Sequence, residues 1–265
     1  DGATTLGSAP VVYDGTIYKA TFTGLNSAIA ADNSKILTVS AALTDVTATL
    51  GKSGADLKAT LDSFKANNSQ GTETTEGTDR AGNSIYVYKS VPTVTNQTLP
   101  DTLLTGGTKT LAKFSVAADG TIGWKKFIFS ANKSASSTIT NVKLYDDNNI
   151  EIAGVATLNT VGSGNTSGTI EFVATNEQSI SGSKTYVLKA DIGGTIASRD
   201  YVSVNIGSAS MGYVAPAAYA TVAGTNATFV WSDQHKSGHD ATTLDWNNNF
   251  LVKNIPTDSQ TLTAN

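Results

Sequence analysis

The sequence predicts an all-β protein, and three observations carry that prediction. Alternation of period two recurs along the chain, turn residues punctuate it at short intervals, and the composition suits pleated strands rather than helices. The 265 residues are 39% hydrophobic and only 15% charged. Thr, Ser, Asn, Ala and Gly fill the difference. Thr and the β-branched aliphatics favour a half-buried pleated surface, and Gly, Asn and Asp supply the turns between strands. Enough Val, Ile, Leu, Phe and Tyr remain to bury a core. The expected architecture is immunoglobulin-like β-sandwich modules, two in tandem.

In chain order the predicted strands are Thr16–Phe22, Ile36–Val39, Ile85–Tyr88, Thr110–Val116, Ile122–Ser130, Val142–Tyr145, Gly168–Val173, Thr185–Ala190, Tyr201–Ile206 and Ala227–Trp231. Asp14-Gly15, Asp119-Gly120, Asp146-Asp147-Asn148-Asn149 and Gly162-Ser163-Gly164-Asn165 are the predicted turns. Asp56–Ala66 has helical character by composition but is assigned as strand, because it falls on a strand position of an internal repeat.

That repeat is the most informative feature. Phe22-Thr23-Gly24-Leu25-Asn26 matches Phe172-Val173-Ala174-Thr175-Asn176, and Ser34-Lys35-Ile36-Leu37-Thr38-Val39-Ser40-Ala41 matches Ser183-Lys184-Thr185-Tyr186-Val187-Leu188-Lys189-Ala190. Ala55–Leu61 follows as the counterpart of Arg199–Asn205. Tyr88-Lys89-Ser90-Val91-Pro92-Thr93 matches Val252-Lys253-Asn254-Ile255-Pro256-Thr257, at a larger offset that places an insertion near residues 207–249. The expected organisation is a half-module-like β domain over 1–90, a complete module over 91–254 and a C-terminal extension over 255–265. The alternative is that 1–90 is a smaller autonomous domain sharing generic β patterning.

Charge and motif content exclude several function classes. Lys and Arg number 18 against 22 Asp and Glu, giving a net charge of -4, so the concentrated cationic face that nucleic acid requires is missing. No apolar run approaches the roughly 20 residues of a membrane-spanning helix. Cysteine is absent, which removes thiolate chemistry, zinc ribbons and iron–sulfur ligation, and modules of this size manage without disulfides. Beginning at Asp1, the numbered chain reads as a mature, processed form. There is no Gly-x-Ser-x-Gly elbow and no phosphate-binding loop. Glu151, Glu171 and Glu177 lie in or beside strands and are expected to face solvent, so no acid pair for glycoside hydrolysis is visible. The expectation is a non-enzyme with no obligatory cofactor.

Two polar clusters are candidate metal sites. Asp146, Asp147 and Asn149 offer hard oxygen donors suited to calcium, but without EF-hand spacing, and a polar strand-connecting turn explains the same residues. Asp245-Trp246-Asn247-Asn248-Asn249 invites the same two readings. His235 and His239 sit four apart with Asp233 and Asp240 as co-ligands, against the reading of a polar loop of solvated imidazoles. Trp124, Trp231 and Trp246 are either a sugar-stacking platform or core residues whose indole N–H finds a nearby acceptor. Sequons at Asn67, Asn96, Asn132, Asn165 and Asn226 permit glycosylation.

The run Thr228-Phe229-Val230-Trp231-Ser232-Asp233, His239 to Thr243, Asp245-Trp246-Asn247 and Leu251-Val252-Lys253-Asn254-Ile255-Pro256, with the Tyr88–Thr93 linker, resembles the repetitive extracellular proteins of ultra-small candidate-phylum bacteria. The likeness covers most of residues 85–265. It implies a surface-layer-like or adhesin-like protein of Ig-like fold with no assigned catalytic residues, secreted or held at the cell surface.

A half module exposes strand edges and a bare apolar face. The expected remedy is strand addition between identical subunits, a head-to-tail contact that does not close and so builds a filament or lattice. The candidate assembly residues are Thr4, Thr5, Leu6, Val11, Val12 and Tyr13 at one end and Ile255, Pro256, Thr261 and Leu262 at the other. The rival expectation is a monomeric adhesin or carbohydrate-binding module, with cell-envelope glycans as partners.

Overall fold

The computed structural model describes residues 4–43, 45–47, 52–161, 164–207 and 211–265. Part of the predicted turn at 162–165 and part of the predicted insertion at 207–249 therefore lie outside the described residues. The molecule is mostly β, in antiparallel sheets with no closed barrel. By packing, the chain divides into two compact units, Asp1–Thr44 and Asp45–Asn265. The boundary at 90/91 is a statement about sequence likeness; the packing boundary falls elsewhere.

Among the described residues of the first unit the regular structure is a small hairpin. Strands β1 (Val12–Tyr13) and β2 (Tyr18–Lys19) pair antiparallel. Asp14 shapes the turn: its Oδ1 accepts the N–H groups of Thr16 and Ile17, both at 2.9 Å, and Gly15 takes the positive φ the reversal needs. The strand expected over Thr16–Phe22 shrinks to two residues, and the one expected over Ile36–Val39 is not formed. Val11, Ile17, Leu37 and Val39 are exposed here. A strand gains from its ladder only when a neighbour and a buried face are both present.

The second unit opens with a two-stranded ribbon, β3 (Ala55–Asn67) against β4 (Glu73–Val87). Strand, not helix, is thus the observed state of Asp56–Ala66. The reversal uses Asn68, whose side chain accepts from Gln70 and Thr72, and Gly71 at positive φ. Among the described residues no third strand joins the ribbon.

The remaining strands form one nine-stranded assembly: β5 (Thr93–Asn96), β6 (Gly107–Lys133), β7 (Ser137–Asp146), β8 (Gly154–Asn159), β9 (Ser167–Gly194), β10 (Tyr201–Ile206), β11 (Phe229–Ser232), β12 (Trp246–Asn247) and β13 (Gln260–Thr263). Its spine is the pairing of β6 with β9 from Gly107↔Ile192 to Asn132↔Ser167. Two strands were predicted in place of each of these, split in β6 at Asp119-Gly120. Instead β6 runs through with a register shift between Ala118 and Thr121, opposite Gly182 at positive φ. Such a bulge bends a strand without ending it, so the turn residues mark a kink rather than a reversal. One five-residue helix, α1 (Tyr219–Ala223), lies in the inserted region.

Alternation fills the main core, beside a smaller apolar cluster of Val222, Ala227, Val230 and Trp246. Leu111, Phe114, Val116, Ile122, Trp124, Phe127 and Phe129 from β6 meet Ile170, Phe172, Ile180, Tyr186 and Leu188 from β9 and Val202, Val204 and Ile206 from β10. Phe127 stacks on Phe229 at 4.4 Å between ring centres and meets Trp124 edge-on at 4.8 Å. Each such buried side chain contributes about 1.5–3 kcal/mol.

Candidate functional site

All three tryptophans are fully buried, and each indole N–H is satisfied: Trp124 by the Tyr186 hydroxyl (3.1 Å), Trp231 by the Asn248 carbonyl (2.7 Å) and Trp246 by the Asp240 carbonyl (2.8 Å). They belong to packed interior, so the tryptophan platform for sugars is not formed. Burial pushes the Tyr186 phenol up to about 12, against the opposing hydrogen bond from Trp124.

The acidic turn after β7 is a turn. Asp146 Oδ1 accepts the N–H groups of Asn148 (3.0 Å) and Ile150 (2.8 Å), and Asn149 Oδ1 accepts from the Lys189 ammonium. A lysine head among these oxygens opposes a second cation, and Asp147 and Asn149 stay exposed.

The loop between β11 and β12 differs. It leaves the sheet at Ser232, directly opposite Trp246, so the chain on either side is held in strand geometry. Both faces of the chain are covered here, and residues 229–233 and 245–249 are all buried. Asp233 and Asp245 are 0% exposed and His235 is 3% exposed. The solvated loop expected here is therefore an interior cluster. Asp233 Oδ1 lies 2.8 Å from His235 Nδ1, while its Oδ2 accepts from the Ser53 hydroxyl (2.5 Å) and the Lys89 N–H (2.9 Å). Ser53 and Lys89 flank the ribbon, one just before β3 and one just after β4, so Asp233 ties the root of the ribbon to the sheet.

His239 forms the second half of the cluster. Its Nδ1 is 2.9 Å from Asp245 Oδ2 and its Nε2 is 2.9 Å from Glu177 Oε2. Each ring nitrogen thus faces a carboxylate oxygen. Thr243 Oγ1 donates to Asp245 Oδ1 at 2.7 Å, and the Gln234 amide donates to Glu177 Oε1 at 2.6 Å. Close by, Tyr88 packs against Trp231 at 5.5 Å; burial first, then the charges of Tyr213 and Asp233, holds its phenol well above the ordinary tyrosine range.

Two members were missed from the sequence. Glu177, expected in solvent, lies in β9 where the register slips between Trp124 and Lys126. Gly123 is what admits it: a Cβ there would sit 1.5 Å from Glu177 Oε1. A glycine inside a strand, between Ile122 and Trp124, was the available signal. Asp245 was grouped with the turn-forming asparagines that follow it. Asp240, expected as a ligand, is exposed, and its carboxylate caps the Thr242 N–H at 2.7 Å. Hydrogen bonds from the Thr242 side chain and backbone hold that carboxyl below the usual range. Glu171 is half-buried and paired with Lys126 at 3.1 Å.

The candidate assembly residues separate into two groups. Val11, Val12 and Tyr13 are exposed, Thr4 and Thr5 likewise, and Leu6 is half-buried. The C-terminal group is used within its own chain. β13 pairs with β10, placing Leu262 opposite Val202 at 1% exposure, and Gln260 bonds both the N–H and the C=O of Lys113. Thr261 bonds Ser203 at 2.8 Å, and Ile255-Pro256 form a cis peptide leading into the strand. The expectation that this segment docks on a neighbour is thus replaced by closure of its own sheet edge.

Open edges remain elsewhere. Among the described residues the two strands of the ribbon pair only with each other, and Leu57 and Ile85, opposite each other in register, are 41% and 65% exposed. β8 pairs with β9 alone. Asp233, His235 and Asp245 are 0–3% exposed, the His239 and Glu177 side chains 10% and 21%, and together they join the β11–β12 loop to the root of the ribbon and to β9. No helix among the described residues is long and apolar enough to cross a membrane. Compared with known proteins, the chain matches no family model and no curated protein.

Proposed function

We propose that this chain is a non-catalytic structural subunit of an extracellular assembly, built of tandem Ig-like sandwich modules and joined head-to-tail to identical copies by strand addition. The observation that carries this reading is the open β3–β4 ribbon. Strands of 13 and 15 residues have no third neighbour among the described residues and present Leu57, Leu61, Phe64 and Ile85 to solvent. An isolated two-stranded ribbon is marginal in water, and a third strand with a covered face stabilises it. The repeat names the missing neighbour: β3 occupies the position of β10, which has β6 on one side and β13 on the other.

The donor is a strand of a second copy, with the exposed Val11-Val12-Tyr13 segment as candidate. A contact between two different surfaces repeats from copy to copy, and where its rotation does not close a ring the product is a filament or lattice. Low charge, absence of cysteine and the resemblance of residues 85–265 to surface proteins support a place in the extracellular envelope.

Light scattering and electron microscopy of the purified chain test this. The expected result is polymer from the wild-type chain and monomer from a Leu57→Asp/Ile85→Asp variant with unchanged thermal unfolding. Wild-type chain that stays monomeric at high concentration, or polymer unaffected by the two charges, contradicts it.

A further inference from the structure

We infer that Asp233, His235 and Asp245 form a binding site for one divalent first-row metal ion of the zinc type. The inference rests on residues 53–247 alone and is independent of how the chain assembles. One donor atom from each of the three residues falls within 4.8 Å of the others, and all three residues are buried. The 2.8 Å between His235 Nδ1 and Asp233 Oδ1 approaches the roughly 2.9–3.4 Å edge between neighbouring ligands whose bonds to the ion are about 2.0–2.1 Å. Imidazole nitrogen with carboxylate oxygen is the donor set of zinc and its neighbours, whereas calcium takes oxygen alone.

Charge points the same way. Asp233 and Asp245 are fully buried, and among the described residues no lysine or arginine pairs with either. Their hydrogen-bond donors include the Ser53 hydroxyl and the Lys89 N–H for Asp233 and the Thr243 hydroxyl for Asp245. Burying carboxylates without a countercharge is costly. A dication held between them supplies that countercharge. The surroundings also have the form of an outer shell that orients ligands: Ser53 and the Lys89 N–H hold Asp233, and His239 and Thr243 hold Asp245.

Independent of the cluster's geometry is what goes unanswered around it. Asn247 Oδ1 is buried and has no hydrogen-bond partner, although buried polar atoms are as a rule paired. Asn247 sits two residues beyond Asp245 on the same face of the chain, and its amide bonds the Asp245 carbonyl at 3.0 Å. An ion here fastens three parts of the chain that are distant in sequence: the root of the ribbon, the end of β11 and the start of β12.

The test uses the tag-free full chain stripped with EDTA. Zinc chloride is titrated by calorimetry, and bound metal is counted by mass spectrometry after gel filtration. The expected result is one zinc per chain, a raised thermal midpoint that EDTA reverses, and a cobalt(II) derivative with visible d–d bands of a nitrogen–oxygen site. His235→Ala is expected to abolish stoichiometric zinc, and His239→Gln to weaken it by about 10–100-fold. The wild-type strip-and-reload cycle needs no substitution and so stands even if a variant fails to fold. A stripped wild-type chain that takes up no zinc and keeps its thermal midpoint overturns the inference. So does calcium uptake without zinc, or equal zinc uptake by wild type and His235→Ala.

Discussion

Two stretches of related sequence meet opposite fates in this molecule. Leu37 and Val39 stand where Tyr186 and Leu188 stand in the second copy. The second pair is buried at 1% and 0% exposure between strands β6 and β7, while the first is exposed at 53% and 68% and belongs to no sheet. β3 and β10 repeat the contrast: β10 buries alternate residues between two neighbours, and β3 has one neighbour and an almost wholly exposed face. Strand-forming sequence is therefore necessary but not sufficient. What separates the copies is a partner that supplies the ladder and covers the apolar face.

The largest expected effect lies in the covered copy. Trp124→Ala removes a side chain packed on Phe127, Phe172 and Tyr186 and leaves the Tyr186 hydroxyl without its partner. It should cost about 3–5 kcal/mol in denaturant unfolding, whereas Leu37→Ala should move the same midpoint by less than about 0.5 kcal/mol. Equal costs would erase the contrast. Next comes Leu262→Ala, at about 2–5 kcal/mol, with loss of exchange protection along β10 and β13. That result would place the C-terminal strand in the stability of its own module.

Gly123→Ala sharpens the view of the cluster. The added methyl collides with the Glu177 carboxylate and should cost about 1–3 kcal/mol. It should also shift the His239 imidazole resonances in NMR, while those of the β1–β2 hairpin stay in place.

The smallest effects are set by pH. Burial lifts Tyr186 from 10.0 to about 12, so its contribution is complete below pH 10 and is lost as pH rises toward 12. At the acid end, the Thr108 hydroxyl and Asn141 amide depress Asp191, and the Ala197 N–H and Ser136 hydroxyl depress Asp200. Their contributions are present above the ordinary value of 3.8 and disappear as pH falls through the lowered ones. Both residues are only partly buried, so the acid effect should be slight; carbon-detected NMR titration reads it directly.

Much of the fold was legible because it rests on local pattern. Alternation over Thr110–Val116, Gly168–Val173 and Tyr201–Ile206 identified strands that the structure contains. The repeat phase correctly favoured strand for Asp56–Ala66. Legibility failed where a distant partner decides. Ile36–Val39 alternates as well as Thr185–Ala190 does, yet only the latter has β6 beside it. Asp119-Gly120 has turn chemistry, but pairing on both sides carries the strand through as a bulge. Within the cluster, Asp233, His235 and His239 were visible as a polar run. Glu177 was not, because it comes from another strand through the gap that Gly123 leaves. Asp245 resembled the turn residues that follow it until β11 and β12 fixed which way it faces.

Hydrogen exchange read by mass spectrometry, with the chain at low and then at assembling concentration, tests the central claim most directly. Amides of 34–41 and of β3 should exchange fast in dilute chain and become protected on assembly, while β6, β9 and β10 stay protected throughout. Unchanged, fast exchange over 34–41 and β3 in concentrated material would contradict completion of these segments by a second copy.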